Sequence, residues 1–207
     1  MFRSGRRRAW FAAAVVVAAL AGCERSQPDL PRLPADGVIV AFGDSVTFGI
    51  GAPRDASYPA VLADLTGRTV VNAGVPGEIS AEGSLRLPGV IDEHRPDLII
   101  LCEGGNDLLR DLAVETLDSN LRAMVRTARD RGIPVVLIGV PEPGLVLSSA
   151  GLYEEVAGDH GLVYEGEILA DILSRGSLKS DMIHPNADGY RLLAEAIHEL
   201  LTSTGAI

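Results

Sequence analysis

Ser45 closes the stretch Val38-Ile39-Val40-Ala41-Phe42-Gly43-Asp44-Ser45, where an apolar run breaks on a glycine and an acid. Gly49 and Gly51 follow within six residues. A buried strand running into a tight turn delivers one hydroxyl to the end of a sheet, as a nucleophile or as a helix cap. A serine hydroxyl attacks poorly unless a base takes its proton. Of the four histidines, His94, His160 and His198 sit in polar or helical surroundings that suit a surface position. His184 differs, because Asp181 stands three residues before it in Asp181-Met182-Ile183-His184-Pro185. One turn of chain could bring that carboxylate to the imidazole, fix its tautomer and stabilise the imidazolium. Taken alone, this spacing is more often structural; a serine after the first strand gives it weight.

Acyl transfer also needs donors aimed at a developing oxyanion. At a strand-to-helix junction the Ser45 N–H is unpaired and carries the positive end of the helix dipole. Asn106 follows Gly104-Gly105, which permit close backbone approach, and Gly77 in Val75-Pro76-Gly77-Glu78 could offer a bare N–H. Both also have ordinary uses, Gly77 as a turn residue and Asn106 as a helix cap.

The elements that would position these groups alternate along the chain. Continuous apolar runs predict strands over 38–42, 69–73, 98–102, 135–140 and 162–164, the pattern of parallel strands buried on both faces. Helical patterns predict helices over 58–66, 81–94 (interrupted by Pro88), 115–131 and 187–201. The order predicts one α/β domain of three layers, doubly wound around a parallel five-stranded sheet, with ligands beyond the carboxyl ends of the strands. Gly43-Asp44-Ser45, Asn72-Ala73-Gly74 and Glu103-Gly104-Gly105-Asn106-Asp107 then share one neighbourhood.

The N-terminus has a different character. Arg3, Arg6, Arg7 and Arg8 precede a short apolar run from Trp10 to Leu20, too short for a membrane span. It ends in Leu20-Ala21-Gly22-Cys23, similar to the lipobox of bacterial lipoproteins, with ordinary cleavage near Cys23 as the alternative. The expected organisation is a signal peptide over 1–22, a lipidated Cys23 with a Pro-spaced tether over 23–36, and a catalytic domain over 37–207. This places the chain in a bacterial cell envelope, lipid-anchored and facing the periplasm; Glu24 after Cys23 favours the outer membrane. Cleavage removes four arginines and no acids, lowering the formal net charge from −10 to −14. So acidic a chain is a poor partner for nucleic acid or anionic head groups, and membrane attachment would come from the lipid. Cys102, the cysteine left after Cys23, reads as a small buried hydrophobe. The scattered histidines hold no metal-ligand spacing, and no phosphate-binding loop is present, so no metal or cofactor is expected.

Gly43-Asp44-Ser45, then Gly77, then Gly105-Asn106-Asp107, then Asp181-x-x-His184 resemble, in order, the four blocks of the SGNH (GDSL) hydrolases. The look is that of the branch of periplasmic multifunctional esterases that includes acyl-CoA thioesterase I, also called lysophospholipase L1. Val71-Asn72-Ala73, Arg86-Leu87-Pro88 and Ile183-His184-Pro185 add to it. The resemblance spans Val38 to the C-terminus and implies a flavodoxin-like fold. It implies Ser45 as nucleophile, His184 as base and Asp181 as its orienting acid, with the N–H groups of Ser45 and Gly77 and the Asn106 amide as oxyanion hole. The implied activity is hydrolysis of carboxylic esters or thioesters through an acyl-enzyme, on aryl esters, lysophospholipids or acyl thioesters, by a monomer. Two alternatives stand beside it: a carbohydrate O-acetylesterase acting on envelope polysaccharide, and a non-catalytic lipid-anchored binding protein. The 141–162 segment has no clear match; its Leu145-Val146-Leu147 could contact an acyl chain or pack on the core.

Overall fold

A computed structural model describes residues 27–144 and 147–207. The expected signal peptide, Cys23 and the start of the tether lie outside the described residues, as do Leu145 and Val146. Five parallel strands, β1 (Val38–Gly43), β2 (Thr69–Gly74), β3 (Leu98–Cys102), β4 (Val135–Ile138) and β5 (Val163–Glu165), form one sheet in the order β2-β1-β3-β4-β5. The fold is the three-layer α/β architecture expected, with helices on both faces.

The central strands are buried along their whole length, which is why they read as unbroken apolar runs. On one face, α2 (Tyr58–Thr66) packs on α8 (Ala187–Ser203), and α8 on α7 (Ile168–Ser174). On the other, α3 (Ser80–His94) packs on α5 (Val114–Arg129), and α5 on α6 (Gly151–His160). Two short helices complete the set: α1 (Ser45–Phe48) after β1, and α4 (Gly105–Leu109) after β3. In α5, Leu117, Leu121, Met124, Val125 and Ala128 recur at helical spacing and all are buried. Each of the four larger side chains contributes about 1.5–3 kcal/mol of transfer free energy.

Three expectations are corrected. Helix α3 runs through Pro88 without interruption; Leu87 and Ile91, on either side of it, are buried and hold the helix together across the missing N–H. Strand β4 stops at Ile138: Gly139 still donates to the Glu165 carbonyl at 2.7 Å, but Pro141 then turns away to bridge Ser149. The Pro-spaced segment does not run free from Gln27 onward. Leu30 and Leu33 donate their N–H groups to Thr204 and Ala206, both at 2.8 Å, and Leu33 is buried in the core. Two leucines between prolines are enough apolar surface to dock it.

Candidate active site

The parallel register aligns Gly43 with Cys102, so the turns after β1 and β3 open side by side. Gly43 has no room for a side chain: a Cβ there would fall 1.9 Å from the Cys102 carbonyl oxygen. Asp44 caps α1, accepting the Val46 N–H at 3.0 Å, and Ser45 is the first helical residue. Its N–H therefore has no intrahelical acceptor.

His184 reaches Ser45 from the far end of the chain. Its Nε2 lies 2.9 Å from Ser45 Oγ, across 139 residues of sequence, and its Nδ1 lies 2.8 Å from Asp181 Oδ2. An ionised carboxylate only accepts, so Nδ1 carries the proton and Nε2 is left to accept the serine O–H. Asp181 Oδ1 accepts the N–H groups of Ile183 and His184, each at 2.8 Å, which turns the Asp181–His184 segment back on itself. Burial acts to raise the Asp181 carboxyl, but the His184 ring and these two N–H donors hold it below its ordinary value. Pro185 is buried and Asn186 caps α8 by accepting the Gly189 N–H at 3.0 Å, so the histidine is mounted on a fixed helix start.

Asn106 sits in the first turn of α4, beside Asp44. Gly104 holds a left-handed φ of 107° against Leu117 and Tyr153, leaving no space for a Cβ. The Asn106 amide donates to the Glu78 carbonyl at 2.8 Å and approaches Asp44 at 3.4 Å. An amide nitrogen has two hydrogens, and these two acceptors take both, the longer bond to Asp44 being the weaker. Gly77 adopts φ 82° in the turn before Glu78, and the Arg110 guanidinium donates to its carbonyl at 2.9 Å. That bond ties Gly77 to the end of α4. The Gly77 N–H donates to no acceptor among the described residues.

Behind these groups lies a layer that sequence reasoning missed. Asp44, Glu78, Glu103 and Asp107 are all buried, at 0–5% exposure. Arg86 donates to both oxygens of Glu78 and stacks 4.0 Å from the Phe42 ring. Asp107 accepts the N–H and hydroxyl of Ser80 at 2.8 and 2.6 Å, joining α4 to α3. Burial pushes Asp44 up to about 6, against hydrogen bonds from the Val46 and Gly105 N–H groups and the nearby His184. Burial also raises Glu103 well above its ordinary value, and its Oε2 is without a partner among the described residues. The alternation of acids with glycines in the turns was the available signal; it does not reveal that the turns stack.

In front of Ser45 opens a cleft of about 690 Å³. Its apolar wall includes Leu109, Val140, Leu147, Leu169 and Leu173, with Met182 and Ile183 at the mouth. Of the unmatched 141–162 segment, 141–144 and Leu147 line this cleft.

The profile of the GDSL-like Lipase/Acylhydrolase family matches residues 41–192. The chain is 28% identical to an arylesterase of Vibrio mimicus, over 79% of this chain and 87% of that one. It is 26% identical to thioesterase 1/protease 1/lysophospholipase L1 of Escherichia coli K12, over 79% of this chain and 83% of the relative. Among solved structures it resembles AlinE4, an SGNH-hydrolase family esterase, at 32% identity and a TM-score of 0.64, covering 81% of this chain and 95% of that one.

Proposed function

The chain belongs to the GDSL-like lipase/acylhydrolase family and is a hydrolase, and on that footing we propose that it cleaves carboxylic esters or thioesters through an acyl-enzyme on Ser45. The observation that carries the reading is the continuous relay from Ser45 Oγ to His184 Nε2 and from Nδ1 to Asp181. Ser45 Oγ attacks the acyl carbonyl while His184 takes its proton, and Asp181 stabilises the resulting imidazolium. The N–H groups of Ser45 and Gly77 receive the oxyanion, with the Asn106 amide turning the hydrogen of its weaker bond from Asp44 toward it. Collapse of the tetrahedral adduct breaks the bond to the alcohol or thiol, which leaves with the proton from His184. Water then attacks the acyl-serine and gives its proton to His184; collapse of this adduct breaks the bond between the acyl carbon and Ser45 Oγ, His184 returns the proton to Oγ, and the carboxylic acid departs.

The apolar wall of the cleft supports acyl groups longer than acetyl, in aryl esters, lysophospholipids or acyl thioesters. We place the enzyme in a bacterial envelope, with the leader over 1–22 removed and Cys23 lipidated. The test is the turnover of p-nitrophenyl esters of graded acyl length by the native chain and by Ser45→Ala, with mass analysis after an organophosphate. Activity and a Ser45 adduct in the native chain, both absent from the variant, support the reading. Equal turnover by both proteins removes Ser45 from the reaction, and an acetyl-only profile favours the O-acetylesterase.

A further inference from the structure

Gln27 is fixed on the open edge of the sheet. Its side-chain oxygen accepts the Tyr164 N–H at 3.0 Å, and its nitrogen donates to the Tyr164 carbonyl at 2.9 Å. With Leu30 and Leu33 bound to the C-terminal tail, the anchor's leash ends at Gln27 rather than at residue 36. Four Cα–Cα steps from Cys23 to Gln27 span at most about 14 Å, whereas a free tether to residue 36 would reach about 45 Å. A domain of this size is about 40 Å across, so the shorter leash cannot let it turn freely above a membrane.

The edge that takes the leash also carries a wall of the cleft. Helix α7 follows β5, and its Leu169 and Leu173 line the space in front of Ser45. Across the mouth stand three exposed apolar side chains: Met182 at 84%, Leu109 at 46% and Ile183 at 38% exposure. Exposure this large in side chains that line a cleft marks a surface that meets something apolar. The chain is acidic overall, so electrostatic attraction to anionic lipid does not supply the contact.

We infer that the short docked leash holds the β5 edge and the cleft mouth against the lipid layer bearing the anchor, so that a single-chain acyl amphiphile enters from that layer. The inference rests on the lipidation of Cys23 and the hydrolase reading proposed above. It makes the leash a selector: amphiphiles in the membrane are presented to Ser45, and polymers in the aqueous space are not.

The experiment uses the processed, lipidated chain in phosphatidylcholine vesicles containing lysophosphatidylcholine. Trp10 lies in the leader and is the sole tryptophan of the sequence, so Met182→Trp gives the processed chain a single reporter. Asp64→Trp, on α2 beside the opposite edge strand, is its counterpart. Brominated phosphatidylcholine should quench the reporter at 182 at least about twofold more than that at 64, as a side chain at the head-group boundary requires. A Gly/Ser spacer of about thirty residues before Gln27, spanning about 30 Å, should abolish the difference. The same spacer should slow lysophosphatidylcholine turnover about tenfold by lowering the effective concentration, and leave a soluble aryl ester unaffected. Equal quenching at the two positions, or lipid turnover indifferent to the spacer, overturns the inference while the anchor stands. A Cys23 without added lipid mass overturns the anchor and the inference together, and soluble-ester activity still reports on the hydrolase reading.

Discussion

Arg86 grips the carboxylate of Glu78 from two nitrogens, and Glu78 presents its main-chain carbonyl to the Asn106 amide. A partly buried charge pair behind β1 thus orients a donor of the proposed oxyanion hole. Arg86→Met leaves Glu78 uncompensated beside Asp44 and Glu103. Breaking a buried pair from one side costs about 3–5 kcal/mol, and urea denaturation should show a loss near the lower figure because Arg86 is 26% exposed. Adding Glu78→Gln to Arg86→Met should restore most of it. An Arg86→Met variant as stable as the native chain would show that the pair is not needed.

Asn106→Ala removes one proposed oxyanion donor without touching Ser45 or His184. The expected result is a fall in kcat of about 10²–10³-fold, with KM nearly unchanged, measured by steady-state hydrolysis of an aryl ester. A change confined to KM would make Asn106 a substrate-binding residue.

Asp181→Asn keeps the shape of the turn but removes the charge behind His184. A buried triad aspartate is worth about 10⁴-fold in kcat. Asp181 is 51% exposed, so water can take over part of its role, and a smaller fall of about 10²-fold is expected. Stopped assays at saturating ester read this directly.

Glu103 and Asp44 give the fold a pH signature. Both have raised values, so the protonated acids favour folding, and that contribution is complete below their ordinary values of 4.5 and 3.8. It is lost as pH rises, for Asp44 between 3.8 and about 6. Glu103→Gln, which cannot ionise, should match the native chain in thermal unfolding near pH 4 and exceed it by about 1 kcal/mol at pH 8. An advantage that does not grow with pH would mean that Glu103 is not desolvated as described.

Leu109→Trp would fill part of the cleft in front of Ser45. Activity on long acyl esters should fall about tenfold relative to acetyl and butyryl esters, since each buried methylene is worth about 0.8 kcal/mol. An unchanged length profile would place the acyl chain elsewhere.

The sheet and the ends of its strands were legible because strands buried on both faces write themselves as apolar runs, as Leu98–Cys102 does. The pairing of Ser45 with Asp181 and His184 was legible through the four blocks. Helix α6 was not, although Leu152, Tyr153, Val156 and Ala157 carry its buried face. Gly151 and Gly158 within it, and Pro141, Pro143 and Gly144 ahead of it, mask the period. Helix α7, at seven residues, is too short for a period to stand out. The acidic layer was invisible for another reason. Asp44, Glu78 and Glu103 come from three separate turns, and only the parallel register brings them within reach of one another.

The carboxamide of Gln27 also serves the sheet itself. By occupying both the N–H and the carbonyl of Tyr164, it acts as one rung of a missing sixth strand. An open strand edge is a template on which a second chain can add, and here a single side chain covers the middle of a three-residue strand. Shortening the protein to its catalytic core would uncover that rung along with the seat of Leu33. Self-association through β5, rather than any loss of chemistry at Ser45, is the hazard such a shortened chain would carry.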